Sequence, residues 1–101
     1  MHQWREGERR VREAEPDQRP AMERVVDRIG AELRRRLGGP FTIDELVGLY
    51  RQGTDWALDL ATTVAPDNPA AWDSRVADAA FLRYAREAQD YAGGRRRAAP
   101  E

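Results

Sequence analysis

The sequence predicts an all-α fold, a three-helix bundle whose middle helix is apolar on two sides. Three stretches of the 101-residue chain place apolar residues at three- and four-residue spacing, and clusters of Gly and Pro separate them. We find no alternation of the kind that a half-buried strand would have. The predicted boundaries are a polar arm over residues 1–18, the bundle over residues 19–92 and a basic tail over residues 93–101.

The arm is rich in Arg, Glu and Gln. Beyond the first Met, Trp4 and Val11 are its only sizeable apolar residues. Such a composition buries too little apolar surface to offset the entropy of ordering, so we predict a disordered arm or a frayed helix supported by Glu–Arg pairs. Trp4 is then a candidate anchor for a pocket on a partner.

The first predicted helix begins between Asp17 and Pro20. Asp17 is a suitable cap, and Pro20 fits a first turn, where its missing N–H is harmless. Gly38-Gly39-Pro40 ends the helix. Its apolar residues form one narrow stripe and predict one buried side: Met22, Val25, Val26, Ile29, Leu33 and Leu37.

The middle helix is predicted over residues 42–63. Thr42-Ile-Asp-Glu45 is a capping box at its start. At 100° per residue, the apolar residues from Ile43 to Val64 cover about 200° of the helical wheel, so this helix needs neighbours on two sides. Gly53 falls inside the apolar arc, where glycine costs roughly 1 kcal/mol relative to alanine. A close helix approach or a groove for a partner residue would justify that cost.

The third predicted helix follows the turn Pro66-Asp-Asn-Pro69. One helical turn over residues 69–72 precedes a kink or restart near Asp73 or Ser74, because Trp72 falls off the later stripe. That stripe is rich in alanine and contains Val76, Ala77, Ala80, Phe81, Tyr84, Ala85, Ala88 and Tyr91. Gly93-Gly94 is predicted to stop the helix.

The chain lacks the residue sets of common catalytic and metal sites. It has no cysteine, and His2, its one histidine, lies in the arm. Asp55 and Asp59 are one helical turn apart, but two acids without a His or Cys partner make a poor transition-metal site. No glycine-rich phosphate loop is present. We therefore predict a protein that is not an enzyme, with no cofactor and no metal.

Charge is divided unevenly along the chain. The net charge is −1, with +2 over residues 1–40, −5 over residues 41–92 and +2 over residues 93–101. The overall balance gives no argument for nucleic acid or a membrane surface. All 17 basic residues are arginine, which is typical of a high-GC bacterial genome. Without a signal-peptide pattern or a long apolar run, we expect a cytoplasmic protein that does not bind membranes.

A nucleic-acid-associated or transcription-associated regulator is the alternative function. It would use two basic clusters, Arg34, Arg35 and Arg36 in one and Arg95, Arg96 and Arg97 in the other. The segment from Phe41 to Val47 resembles the opening of a helix-turn-helix. Its continuation fits poorly, because Asp55 and Asp59 on the would-be recognition helix repel phosphate.

Protein interaction is the function that the sequence favours. Three helices cannot cover Trp56, Trp72 and Leu82 at once, so some apolar surface should stay exposed. Leu49 borders the same arc, and Gly53 could open a groove. We therefore predict a small interaction module that self-associates, most simply as a homodimer, with the basic ends as secondary contacts.

Overall fold

Five α-helices and one short 3₁₀ helix make up the part of the fold that the structure describes. The computed structural model describes the backbone of residues 2–98 and the side chains of residues 2–87. The elements are α1 His2–Arg12, α2 Arg19–Leu37, α3 Ile43–Arg51, α4 Asp55–Val64, the 3₁₀ helix Pro69–Trp72 and α5 Ser74–Ala98. Residues 2–98 contain no strand, which confirms the all-α class. The prediction of three helices is wrong.

The central helix is α5, which contacts α1, α2, α3 and α4. One row of its buried side chains contains Val76, Ala80 and Phe81, and a second contains Ala79 and Leu82. The prediction of a two-sided helix at residues 42–63 is therefore wrong, because α5 is the helix that is buried on two sides. That prediction considered only the first row of α5, so that no other helix was expected to cover Leu82.

The predicted middle helix is two helices, because Gly53 breaks it. The φ angle of Gly53 is 109°, a backbone conformation that residues with a side chain rarely adopt. The wide apolar arc therefore belongs to two short helices with separate orientations. The predicted capping box is confirmed at the start of α3, where Thr42 Oγ1 accepts from the Glu45 N–H at 3.1 Å and the Glu45 carboxylate accepts from the Thr42 N–H at 2.8 Å.

The predicted disordered or frayed arm is instead the packed helix α1, which lies on α5. Trp4 and Val11 are buried, as are Gly7 and Glu8 between them. These four positions have the 4-7-8-11 spacing of one helix face. The low apolar content of the arm was misleading because a tryptophan, a valine and a glycine suffice for a close contact with α5.

The helix ends agree with the sequence prediction in part. Gly38, with φ 73°, ends α2 as predicted, and α5 restarts at Ser74 after the 3₁₀ helix. At the start of α2 the N-cap is Gln18, with no side-chain cap, so the predicted cap by Asp17 is wrong. The predicted stop at Gly93-Gly94 is also wrong, since α5 continues to Ala98. Residues 99–101 of the predicted tail lie outside the described residues.

None of the helices within residues 2–98 combines the length and the apolar character needed to cross a membrane.

Candidate interaction site

A cleft of about 180 Å³ lies between α2, α4, the 3₁₀ helix and the start of α5. We call it the α4 cleft. Its floor consists of buried apolar side chains, among them Val25, Ile29, Ala57, Ala61 and Ala71. Its rim carries the polar and larger side chains Thr54, Asp55, Leu58, Trp72, Asp73 and Ser74. An apolar floor under a polar rim is the usual arrangement of a binding cleft.

Leu58 is the most exposed large apolar side chain among those described, with 52% of its surface accessible. Ala57 and Ala61 are the buried residues of α4. One helical step of about 100° moves Leu58 from this buried row to the edge of the cleft. Its methyl groups therefore stand beside the apolar floor and remain in solvent.

Trp72 is part of the rim of the α4 cleft. Its indole N–H donates to the Ala65 carbonyl oxygen at 2.9 Å, and the ring is half-buried. This bond fixes the ring in one place, so that Trp72 presents a preformed apolar wall to anything that enters the cleft.

The segment that contains α4 and the 3₁₀ helix is acidic. No arginine occurs between Arg51 and Arg75, whereas this segment holds four acids: Asp55, Asp59, Asp67 and Asp73. Asp73 is already neutralised, with Arg75 at 2.7 Å and Arg10 at 3.6 Å, and the hydrogen bond from Arg75 lowers its pKa. Asp55 is exposed on the rim and lies in no salt bridge among the described side chains. The rim thus offers one carboxylate to a partner.

The other predicted interface residues on α3 and α4 lie outside the cleft. Trp56 is half-buried, and the Arg36 guanidinium stands 4.5 Å above its ring. Leu49 is half-buried on α3, and Gly53 is exposed in the turn between the two helices. Of the predicted interface residues, only Trp72 lies on the cleft rim.

Trp4 and Leu82 belong to the core and not to the surface, with 2% and 7% of their area exposed. The Trp4 ring centroid lies 5.4 Å from that of Tyr50 and 5.4 Å from that of Phe81. Leu82 lies on the α1-facing side of α5, because Asp78 and Ala79, one turn earlier, approach Gly7. Both residues are therefore removed from the candidate interface.

Carboxylates accompany the first basic cluster. Arg35 and Arg36 both donate to Glu32, at 3.1 and 2.8 Å. These hydrogen bonds lower the pKa of Glu32 to about 2, and the bond from Arg35 has the larger effect. Arg34 lies 3.4 Å from Glu87. Each arginine of this cluster therefore already has a carboxylate partner. The side chains of Arg95, Arg96 and Arg97 lie outside the described residues.

A second polar cluster holds the helices together. Arg83 of α5 donates to Glu8 of α1 at 2.8 Å and to Glu23 of α2 at 2.7 Å. The hydrogen bond between Arg83 and Glu23 lowers the pKa of Glu23 and raises the pKa of Arg83. Because all three partners come from different helices, this cluster fixes α1 against the rest of the fold.

A tyrosine–carboxylate pair joins α3 to α5. The Tyr50 hydroxyl donates to Asp78 Oδ1 at 2.8 Å. Burial raises the pKa of Tyr50 to about 12, and burial also raises the pKa of Asp78. Gly7 of α1 lies over Asp78. The pair is thus part of the packing between three helices.

Leu58 and Asp55 are site residues that were not predicted from the sequence. The absence of any arginine from residues 52–74 is the signal that separates this acidic surface from the rest of an arginine-rich chain.

No protein-family model, no curated protein and no solved structure matches this chain.

Proposed function

We propose that this chain is a small, non-enzymatic protein-interaction module that binds through the α4 cleft, and that it self-associates. The supporting observation is that Leu58, 52% exposed, stands beside an apolar floor already shaped as a cleft. A single exposed leucine is ordinary on a protein surface. Its position at the edge of a preformed apolar cleft is what favours a binding role.

The interaction is expected to be weak and reversible. Burying the remaining half of a leucine side chain contributes about 1 kcal/mol. A stable contact therefore needs the Trp72 wall and further rim groups as well. The buried area of such an interface is small, as is typical of transient protein–protein complexes.

Sedimentation velocity over a series of protein concentrations tests the proposal. Wild-type protein should sediment faster as its concentration rises. Leu58→Asp, which adds a charge at the rim, should remain monomeric. Thr63→Asp, a matched control on an exposed position of α4 outside the cleft, should behave as wild type. A wild-type protein that stays monomeric throughout, or equal behaviour of the two variants, would contradict self-association through this surface.

The nucleic-acid alternative draws less support from the described residues. Glu32 and Glu87 lie against Arg34, Arg35 and Arg36, so a phosphate would first have to displace them. Binding to nucleic acid that weakens steeply with added salt would favour this alternative, because phosphate contacts release counterions.

A further inference from the structure

The charge around the α4 cleft restricts what can bind there. Asp55 lies on the rim, and Asp59 follows Leu58 on the same exposed side of α4. Two arginines at the rim, Arg10 and Arg75, pair with Asp73, and among the described side chains neither Asp55 nor Asp59 lies in a salt bridge.

Symmetric pairing of two α4 helices is unfavourable for this reason. Placing Leu58 of one copy against Leu58 of another would bring together Asp55 and Asp59 from both copies. Four like charges would then face each other as the interface loses water, where their repulsion grows. An apolar contact of about one leucine per copy is too small to offset this.

Asp73 gives an internal example of what the rim binds. It accepts three hydrogen bonds from the Arg75 side chain, one from Nη2 at 2.7 Å and two from Nε at 3.1 Å, and a second guanidinium, that of Arg10, lies 3.6 Å away. Arginine therefore already satisfies one rim carboxylate, whereas Asp55 on the same rim lies in no salt bridge among the described side chains.

We infer that the occupant of the α4 cleft is a basic protein segment, with an apolar side chain seated between Leu58 and Trp72 and an arginine or lysine beside Asp55. This inference rests on the proposed function, because it names the chemistry of the partner at the same cleft. Between copies of this chain, the contact is then between the cleft of one copy and a basic segment of another. Charge complementarity of this kind determines partner choice and orientation.

Two short labelled peptides test the inference by fluorescence anisotropy. One is Gly-Arg-Ala-Leu-Ala-Arg-Gly, and the other replaces both arginines with glutamate. The arginine peptide should bind more tightly, and added salt should reduce the difference. Asp55→Asn should weaken its binding roughly two- to fivefold, as expected for a partly exposed ion pair. Asp67→Asn, which removes the same charge away from the cleft, should change the affinity less.

Several results would overturn the inference. The inference fails if the glutamate peptide binds as tightly as the arginine peptide. It also fails if Asp55→Asn and Asp67→Asn bind the arginine peptide with equal affinity. Failure of both peptides to bind, with self-association that depends on Leu58, would remove the inference and leave the proposed function standing. Stronger self-association of Asp55→Asn would indicate that two α4 faces meet. Absence of both peptide binding and self-association would remove the inference and the proposed function together.

Discussion

Gly7 is the residue at which α1 and α5 come closest. A Cβ atom at this position would lie 2.7 Å from Asp78 Cβ and 2.9 Å from the Ala79 nitrogen, and it would also meet the Arg75 carbonyl oxygen. Backbone atoms cannot move aside as the end of a flexible side chain can. The missing side chain of one glycine therefore sets the distance between two helices.

Gly7→Ala should destabilise the protein by about 1 to 3 kcal/mol, the usual cost of overpacking, despite alanine's better helix propensity. Gly48→Ala is the matched control, because a Cβ there meets nothing within 4 Å and the residue is also helical. It should stabilise by roughly 0.5 to 1 kcal/mol. Urea denaturation measures both. A Gly7→Ala variant as stable as wild type would contradict the docking of α1.

Asp78 is a carboxylate whose burial works against folding at neutral pH. Burial raises its pKa above the ordinary value of 3.8, so the folded state holds a proton that the unfolded chain has already released. Between the unfolded and folded pKa values, the free energy of unfolding therefore falls as pH rises. The lowered pKa values of Glu23 and Asp73 act in the opposite direction, since their contributions are lost as pH falls.

Asp78→Asn should remove the contribution that weakens folding as pH rises, while its side-chain oxygen can still accept from Tyr50. The gain in stability over wild type should thus be larger near pH 7 than near pH 4. Denaturation at a series of pH values measures the difference, with Asp59→Asn as a control that makes the same change on an exposed carboxylate. A constant difference between Asp78→Asn and wild type at all pH values would refute this reading of Asp78.

At the scale of elements, prediction from sequence succeeded where a local signal decides the outcome. The Thr42–Glu45 capping box and Gly38 at the end of α2 each act within one helical turn, and both were predicted. The helical wheel failed at Gly53, where one helix ends and the next begins. A single wheel drawn through both helices merges their apolar faces into one wide arc. Composition failed for α1, since the close contact that Gly7 permits depends on residues of α5 that are far away in the sequence.

Thr42→Ala tests the start of α3. The substitution removes the hydroxyl that accepts from the Glu45 N–H, so it should cost about 1 kcal/mol of stability. Thr42→Ser keeps the oxygen and should cost much less. Thermal or urea denaturation compares the two. An alanine variant no less stable than the serine variant would mean that the cap contributes nothing.

At the scale of the whole molecule, α5 organises the fold, and the α4 cleft is left open at one side. The all-α class and the apolar stripe of α2 could be predicted because periodicity records which side of a helix is buried. The cleft could not, because it is formed by α2, α4, the 3₁₀ helix and α5 together. Trp72 as an interface residue and the acidic character of residues 41–92 could be predicted from the sequence. That Trp72 and Leu58 line the same cleft is seen only in the structure.

The most direct test of the account is an NMR dilution series with isotope-labelled protein, which follows each backbone amide as concentration changes. We expect the concentration-dependent shifts to include the rim of the α4 cleft, around Thr54, Leu58, Trp72 and Ser74, while the resonances of the buried amides of α1 do not shift. Shifts that leave the cleft untouched, or no shift at any concentration, would contradict self-association through this surface.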